Sequence, residues 1–407
     1  MDRRSKIIVI TATLIMWVLV GSIVGVGVYF GEKFEEQMEK FEEDSALFME
    51  RLEGEGVISG DELFSKTVLN EEVLISNITD IFIRPKTPLG EGEIILAGSN
   101  GAIFLDLDDP SVVNSSVYFE DDADFVEVID VEGDGVEEFM GRGCWCKPPI
   151  VIDSAGETIW KYDRAGDKVV DMVAADMDGD GELEFVSALR DGGLRIIDRN
   201  DKKIFKKKTS PVRHLEVADV DGDGRLDIIF TTIGGQVMVV DSLGKWLSTV
   251  KDTEASALRD STELSSIKED ELEVGDFTLV ARPEVDGEEF IVSVADGAVR
   301  FHDLFGKVVK EVSIERAYGS TDIRGVGFES VGENAYVAVL LVYTGVEKSV
   351  LLVFDEDLSL VYEEVFEGLY YAIAKEPARV SDGAETLLIG GQGGLIRYAL
   401  TDGTELQ

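Results

Sequence analysis

Three short segments carry most of the chemistry this chain can offer. Residues 130–138 read DVEGDGVEE, residues 176–184 read DMDGDGELE, and residues 219–227 read DVDGDGRLD. Each sets carboxylates at its positions 1, 3, 5 and 9. The sets are Asp130, Glu132, Asp134 and Glu138; Asp176, Asp178, Asp180 and Glu184; and Asp219, Asp221, Asp223 and Asp227. Glycine at positions 4 and 6 permits a sharp turn, and the main-chain carbonyl at position 7, from Val136, Glu182 or Arg225, can add one more oxygen. Such a set suits Ca2+, a hard cation that takes six to eight oxygen ligands. Without a cation the crowded carboxylates would repel one another.

An EF-hand loop opens in the same way, but it needs a bidentate Glu at position 12 and a helix on each side. Position 12 here is Gly141, Ser187 or Phe230, and flanks such as VVDMVAA, FVSAL and IIFTT read as strands. The three loops are therefore expected to join strands.

The elements that hold them belong to a repeat. A short apolar run ending in Asp, then a polar turn, then another apolar run recurs as AIFLDLDDP, IVIDSAGETIWKY, LRIIDRNDKKIF, VMVVDSLGKWL, VRFHDLFGKVV and LLVFDEDLSLVY. Its aspartates are Asp106, Asp153, Asp198, Asp241, Asp303 and Asp355, with Thr401 in the seventh place. The spacing is mostly about 45 residues, with one of about 60 that implies an insertion within Lys251 to Asp270. Pairs such as Asn100-Gly101, Gly192-Gly193 and Gly393-Gly394 supply the positive φ of tight hairpins. Units of this length with about four strands are the blades of a propeller, and seven are counted.

The chain has 407 residues, 38 basic and 82 acidic, for a net charge of −44. Nucleic acid and anionic membrane surfaces both select for Lys and Arg against phosphate, so neither is expected as a partner. Two cysteines and two histidines leave no room for zinc fingers, HExxH sites or disulfide frameworks.

Residues Ile7 to Phe30 carry no charge. At about 1.5 Å per residue they reach roughly 36 Å, enough to cross a hydrocarbon core of about 30 Å. Arg3, Arg4 and Lys6 precede them, which places the amino terminus in the cytoplasm and the rest outside the cytoplasmic membrane. Phe34, Met38, Phe41, Ser45, Phe48 and Leu52 follow heptad spacing, so residues 31–53 are expected to form a stalk helix. That helix either pairs copies into a homo-oligomer or stands alone, and residues 54–70, which hold three of the glycines before the repeats, read as a linker.

The loop DxDGDGxxD/E between strands, repeated about every 45 residues, resembles the FG-GAP/VCBS repeats of calcium-binding β-propellers, the class to which integrin alpha-subunit propellers belong. The segment IDSAGETIWKY is similar to the repeat of quinoprotein-like and outer-membrane-assembly-type propellers. The resemblance implies calcium in all three loops, weakest at residues 130–138 because Glu132 is longer than Asp. It also implies a face that binds a protein or carbohydrate partner, as an adhesion or scaffold module.

Two other readings stay open: an envelope-assembly scaffold independent of calcium, and a quinoprotein-like enzyme. Known quinoproteins use adjacent cysteines, whereas this chain has Cys144-Trp145-Cys146, and neither His214 nor His302 has a recognisable nucleophile beside it. The expectation is therefore a non-enzymatic, all-β seven-bladed β-propeller, residues 71–407, behind a transmembrane helix and a stalk.

Overall fold

The computed structural model describes residues 56–401, apart from 248–283 and short connecting stretches, the longest of which is 314–321. The expected transmembrane and stalk helices, residues 7–30 and 31–53, lie outside the described residues. Among the described residues every regular element is a strand, and no helix is long and apolar enough to cross a membrane.

The strands form seven antiparallel meanders. Blade 1 comprises Ile78–Arg84, Glu93–Gly98, Gly101–Asp106 and Val113–Tyr118. Blade 2 comprises Phe125–Ile129, Glu138–Arg142, Ile150–Ile152 and Thr158–Lys161, and blade 3 Val169–Ala175, Glu184–Leu189, Leu194–Ile197 and Lys203–Lys207. Blade 4 has Val212–Ala218, Asp227–Thr232 and Val237–Val240, extended by a bridge from Val240 to Trp246. Blade 5 has Ile291–Ala295, Ala298–His302 and Val308–Ser313. Blade 6 runs from Asp322–Glu329 through Ala335–Tyr343 and Lys348–Phe354 to Leu360–Glu367, and blade 7 holds Tyr370–Glu376, Thr386–Gly391 and Gly394–Leu400. A small hairpin, Glu284–Val285 with Glu288–Glu289, precedes blade 5.

The central strands of each blade are apolar on both sides because each sheet is packed between two others. The second strand of blade 3, EFVSAL, is buried along its whole length, and so is that of blade 4, DIIFTT. Blades 1 and 2 meet through Ile95, Phe104, Val126 and Phe139, and blades 2 and 3 through Met140, Val151, Met172 and Phe185. Val186 and Ile196 face Leu215 and Phe230 between blades 3 and 4, and Ile229 and Val239 face Ile291 between blades 4 and 5. Phe301 of blade 5 stands edge-on to Phe354 of blade 6, with centroids 5.1 Å apart. Leu340 and Tyr362 meet Ile389 and Tyr398 across blades 6 and 7, and Leu388 and Leu395 meet Ile78 and Ile94 across blades 7 and 1. Those seven contacts complete a ring.

The structure corrects one expectation. Residues 54–70 are not a linker. Gly56–Ser59 pairs with Leu360–Glu367 as a fifth strand of blade 6, and Phe64–Asn70 pairs with Gly394–Leu400 as the fourth strand of blade 7. The beginning of the propeller is thereby hydrogen-bonded to its end, which leaves no open edge between first and last blades. Gly60 serves the turn that joins the two strands: it has φ +73°, and a Cβ there would lie 2.1 Å from the carbonyl oxygen of Val361. Close approach, rather than looseness, explains that glycine.

A buried polar knot fastens this closure. Glu364, 2% exposed, accepts hydrogen bonds from Lys66 Nζ at 2.7 Å and from the hydroxyls of Tyr362 and Tyr398, each at 2.6 Å. Burial, with the Glu364 charge next, pushes the Tyr398 phenol up and keeps it a donor. Phe64 packs edge-on against both tyrosines, at 5.0 and 5.6 Å.

Phe64→Ala should therefore cost about 3 kcal/mol of folding stability, the usual size for removing a buried aromatic ring. Equilibrium denaturation checks this, and a loss below about 0.5 kcal/mol, as expected at an ordinary surface position, would show that the strand does not close the ring.

Candidate metal centre

The three acidic segments occupy one place in three successive blades, the turn between the first and second strands. The first strand of each ends just before position 1, and position 9 opens the second strand, as Glu138, Glu184 and Asp227. Because strands alternate in direction along a meander, these turns share a face with those between third and fourth strands.

The backbone of each loop is wound around the first carboxylate. Asp130 accepts N–H groups from Gly133, Asp134 and Gly135 at 2.7, 3.1 and 2.9 Å. Asp176 accepts from Gly179, Asp180 and Gly181 at 2.7, 3.1 and 3.0 Å, and Asp219 from Gly222 and Gly224 at 2.8 and 2.9 Å. Such wrapping needs left-handed backbone at positions 4 and 6, where φ is +81° and +89° at Gly179 and Gly181 and +75° and +83° at Gly222 and Gly224.

Position 9 is the buried pole of each loop. Glu138, Glu184 and Asp227 are 4%, 3% and 2% exposed, and each accepts a hydrogen bond from the N–H of position 2. The donors are Val131 at 2.8 Å, Met177 at 2.9 Å and Val220 at 2.9 Å. Burial pushes all three carboxyls up, and the neighbouring acidic side chains add to the effect. For Asp227 the pKa rises to about 6, with Asp221 and Asp223 the contributing charges.

Two loops gather their carboxylates. One oxygen from each of Asp176, Asp178 and Glu184 lies within 4.8 Å of the others, and the same holds for Asp219, Asp221 and Asp227. Ligands at 2.3–2.6 Å from one calcium ion are at most about 5 Å apart, so both sets fit a single Ca2+. Among the described residues these are the two such clusters, and Asp130, Glu132 and Glu138 do not make a third. Glu132 instead reaches Arg199 of blade 3, with Oε1 2.6 Å from Nη2.

The position 5 carboxylates turn back on the loop. Asp134, Asp180 and Asp223 accept the N–H of Val136, Glu182 and Arg225 at 2.8, 2.8 and 2.9 Å, which pins those position 7 residues at the exposed tip.

The recurrent aspartates after the third strands do different work. The Asp153 carboxylate accepts from Ala155 and Glu157, that of Asp241 from Leu243 and Lys245, and that of Asp303 from Phe305 and Lys307. These are Asx turns that reverse the chain into the outer strand. The two histidines are strand residues. His214 Nδ1 lies 3.5 Å from Asp171, and buried His302 has Nε2 2.7 Å from Ser293 Oγ and Nδ1 3.0 Å from the Gly306 carbonyl. Cys144 and Cys146 lie outside the described residues.

Polar bonds between blades escaped the sequence. Asp80 Oδ2 accepts the N–H of Val128 at 2.8 Å and Asp171 Oδ2 that of Leu215 at 3.0 Å, so a side chain of one first strand satisfies the backbone of the next. The visible signal was only an Asp inside an apolar run.

Asp227 links proton binding to stability. An ordinary Asp titrates at 3.8, whereas in the fold it titrates near 6, so the contribution is full at low pH and is lost as pH rises through about 6. In calcium-free buffer the denaturation midpoint should fall between pH 4 and 6.5 more steeply for the wild type than for Asp227→Asn. Parallel slopes would contradict the assignment.

Residues 176–230 match the FG-GAP-like repeat family. No curated protein sequence matches the chain. Among solved structures, BBS1N in complex with ARL6DN is similar in two crystals: the mercury-soaked form at 11% identity, covering 85% of this chain and 99% of that one with a TM-score of 0.56, and the lead-soaked form at 12%, 85%, 98% and 0.53. A streptogramin B lyase structure is also similar, at 10% identity over 83% of this chain and 98% of that one, TM-score 0.47. The segment that holds both carboxylate clusters is thus an FG-GAP-like repeat set within a seven-bladed β-propeller.

Proposed function

We propose that this chain is a calcium-stabilised binding module, a propeller that presents the face bearing its acidic turns to a protein partner outside the cytoplasm. The observation that carries the reading is the pair of carboxylate clusters at equivalent turns of blades 3 and 4, each within 4.8 Å and each with a buried acid at its base. A crowded carboxylate set with one member buried costs folding energy unless a cation meets it, and its repetition in register argues for selection of the set rather than of any one acid. The ion would fix the turn, and a fixed turn loses less entropy when a partner docks.

Three features support a partner that is a protein. The architecture accommodates one, as in BBS1N with ARL6DN. Loops on a rigid ring are the usual carriers of recognition. The acidic surface, at a net charge of −44, suits a basic partner and opposes nucleic acid. The uncharged segment Ile7 to Phe30 would hold the module at the membrane.

Calcium at 1 mM should raise the thermal midpoint of the full chain by several degrees over the chelated protein, since an ion that binds only the folded state stabilises it. Asp176→Ala combined with Asp219→Ala should remove the rise. An identical midpoint with calcium and with chelator would move the reading to a calcium-independent scaffold.

A further inference from the structure

The three acidic loops are alike in sequence, yet one of them already has a cation of the protein itself on its position 3 carboxylate. The geometry points to Arg199 of blade 3 as a built-in cation for the blade 2 loop, so that of the three loops those of blades 3 and 4 hold calcium and that of blade 2 does not. The inference rests on the calcium reading above and specifies its stoichiometry.

Arg199 directly follows Asp198, the aspartate that opens the turn after the third strand of blade 3. In blades 4 and 5 the residues that directly follow the turn aspartates Asp241 and Asp303 are Ser242 and Leu304. The turn of one blade leans on the acidic loop of the blade before it. Leu304 packs in the same cluster as Val220, position 2 of the blade 4 loop, and Arg199 meets Glu132, position 3 of the blade 2 loop.

The residue directly after the turn aspartate is thus Arg in the blade that follows blade 2, Ser in the one that follows blade 3 and Leu in the one that follows blade 4, so a cation stands at this sequence position only beside the blade 2 loop. Only the loop that faces the guanidinium fails to gather its carboxylates. Glu132 is one methylene longer than Asp178 or Asp221, which lets it leave the cluster and reach across the blade boundary to Nη2 at 2.6 Å.

Two effects act together. The ion pair removes a ligand from the cluster, and the guanidinium, always charged, repels a second cation at the same place. The pair is exposed, 38% at Arg199 and 46% at Glu132, so its own contribution to stability is small. Its consequence is for ion binding.

Equilibrium dialysis of the full chain against calcium counts the ions directly. The wild type should saturate at two ions, Arg199→Met at three, and Arg199→Met with Asp130→Ala at two again, which places the third ion in blade 2. Midpoints in calcium-free buffer should be the same for wild type and Arg199→Met, confirming that the fold is unaffected. Three ions in the wild type, or two in Arg199→Met, would overturn the inference while leaving calcium binding intact. Zero ions in both would overturn the calcium reading and this inference with it.

Discussion

Electrostatic repulsion inside a tight turn is the constraint on which the rest depends. In blades 3 and 4 three carboxylates converge within 4.8 Å, and one of each set, Glu184 or Asp227, is almost wholly removed from water. Hydrogen bonds from position 2 offset part of that burial, and the pKa of Asp227 still rises to about 6. Positive charge is the missing partner. In blade 2 the Arg199 guanidinium pairs with Glu132, and in blades 3 and 4 the turn has the size and donor type of a calcium site.

The ring makes such turns possible. A loop wound around one Asp, with four-residue wrapping and left-handed glycines, needs fixed strands at both ends. Those strands are held by sheets packed on either side and by side chains such as Asp80 and Asp171, which satisfy the backbone of the next blade. The sheets in turn depend on closure, and closure depends on Phe64–Asn70 with its knot of Lys66, Tyr362, Tyr398 and Glu364. Local charge and global topology are thus coupled through the second strands of blades 2, 3 and 4, whose first residue is the buried acid of a loop.

Much of this was legible in the residues. The repeat of Asp after an apolar run has a cause, because that side chain accepts N–H groups of the following turn, as at Asp153 and Asp303, and the Asp marks six of the seven blades, with Thr401 in the seventh place. The acidic loops were legible for the same reason: glycines at positions 4 and 6 and carboxylates at alternate places leave few other conformations. What the sequence concealed were contacts between distant segments. Phe64–Asn70 is a short, half-polar run whose strand character comes from the edge of blade 7, some 330 residues later. Arg199 gave no sign of its partner, since Glu132 is 67 residues away in sequence. The glycines at 54–60 suggested a linker because composition does not distinguish a flexible glycine from one required by a carbonyl 2.1 Å from where its Cβ would be.

The central claim is that Ca2+ is held by the turns of blades 3 and 4, and anomalous diffraction from crystals grown with calcium tests it most directly. The account predicts two peaks, one coordinated at about 2.4 Å by Asp176, Asp178 and Glu184 and one by Asp219, Asp221 and Asp227. Ordered water alone at both positions, with the carboxylates splayed apart, would contradict it.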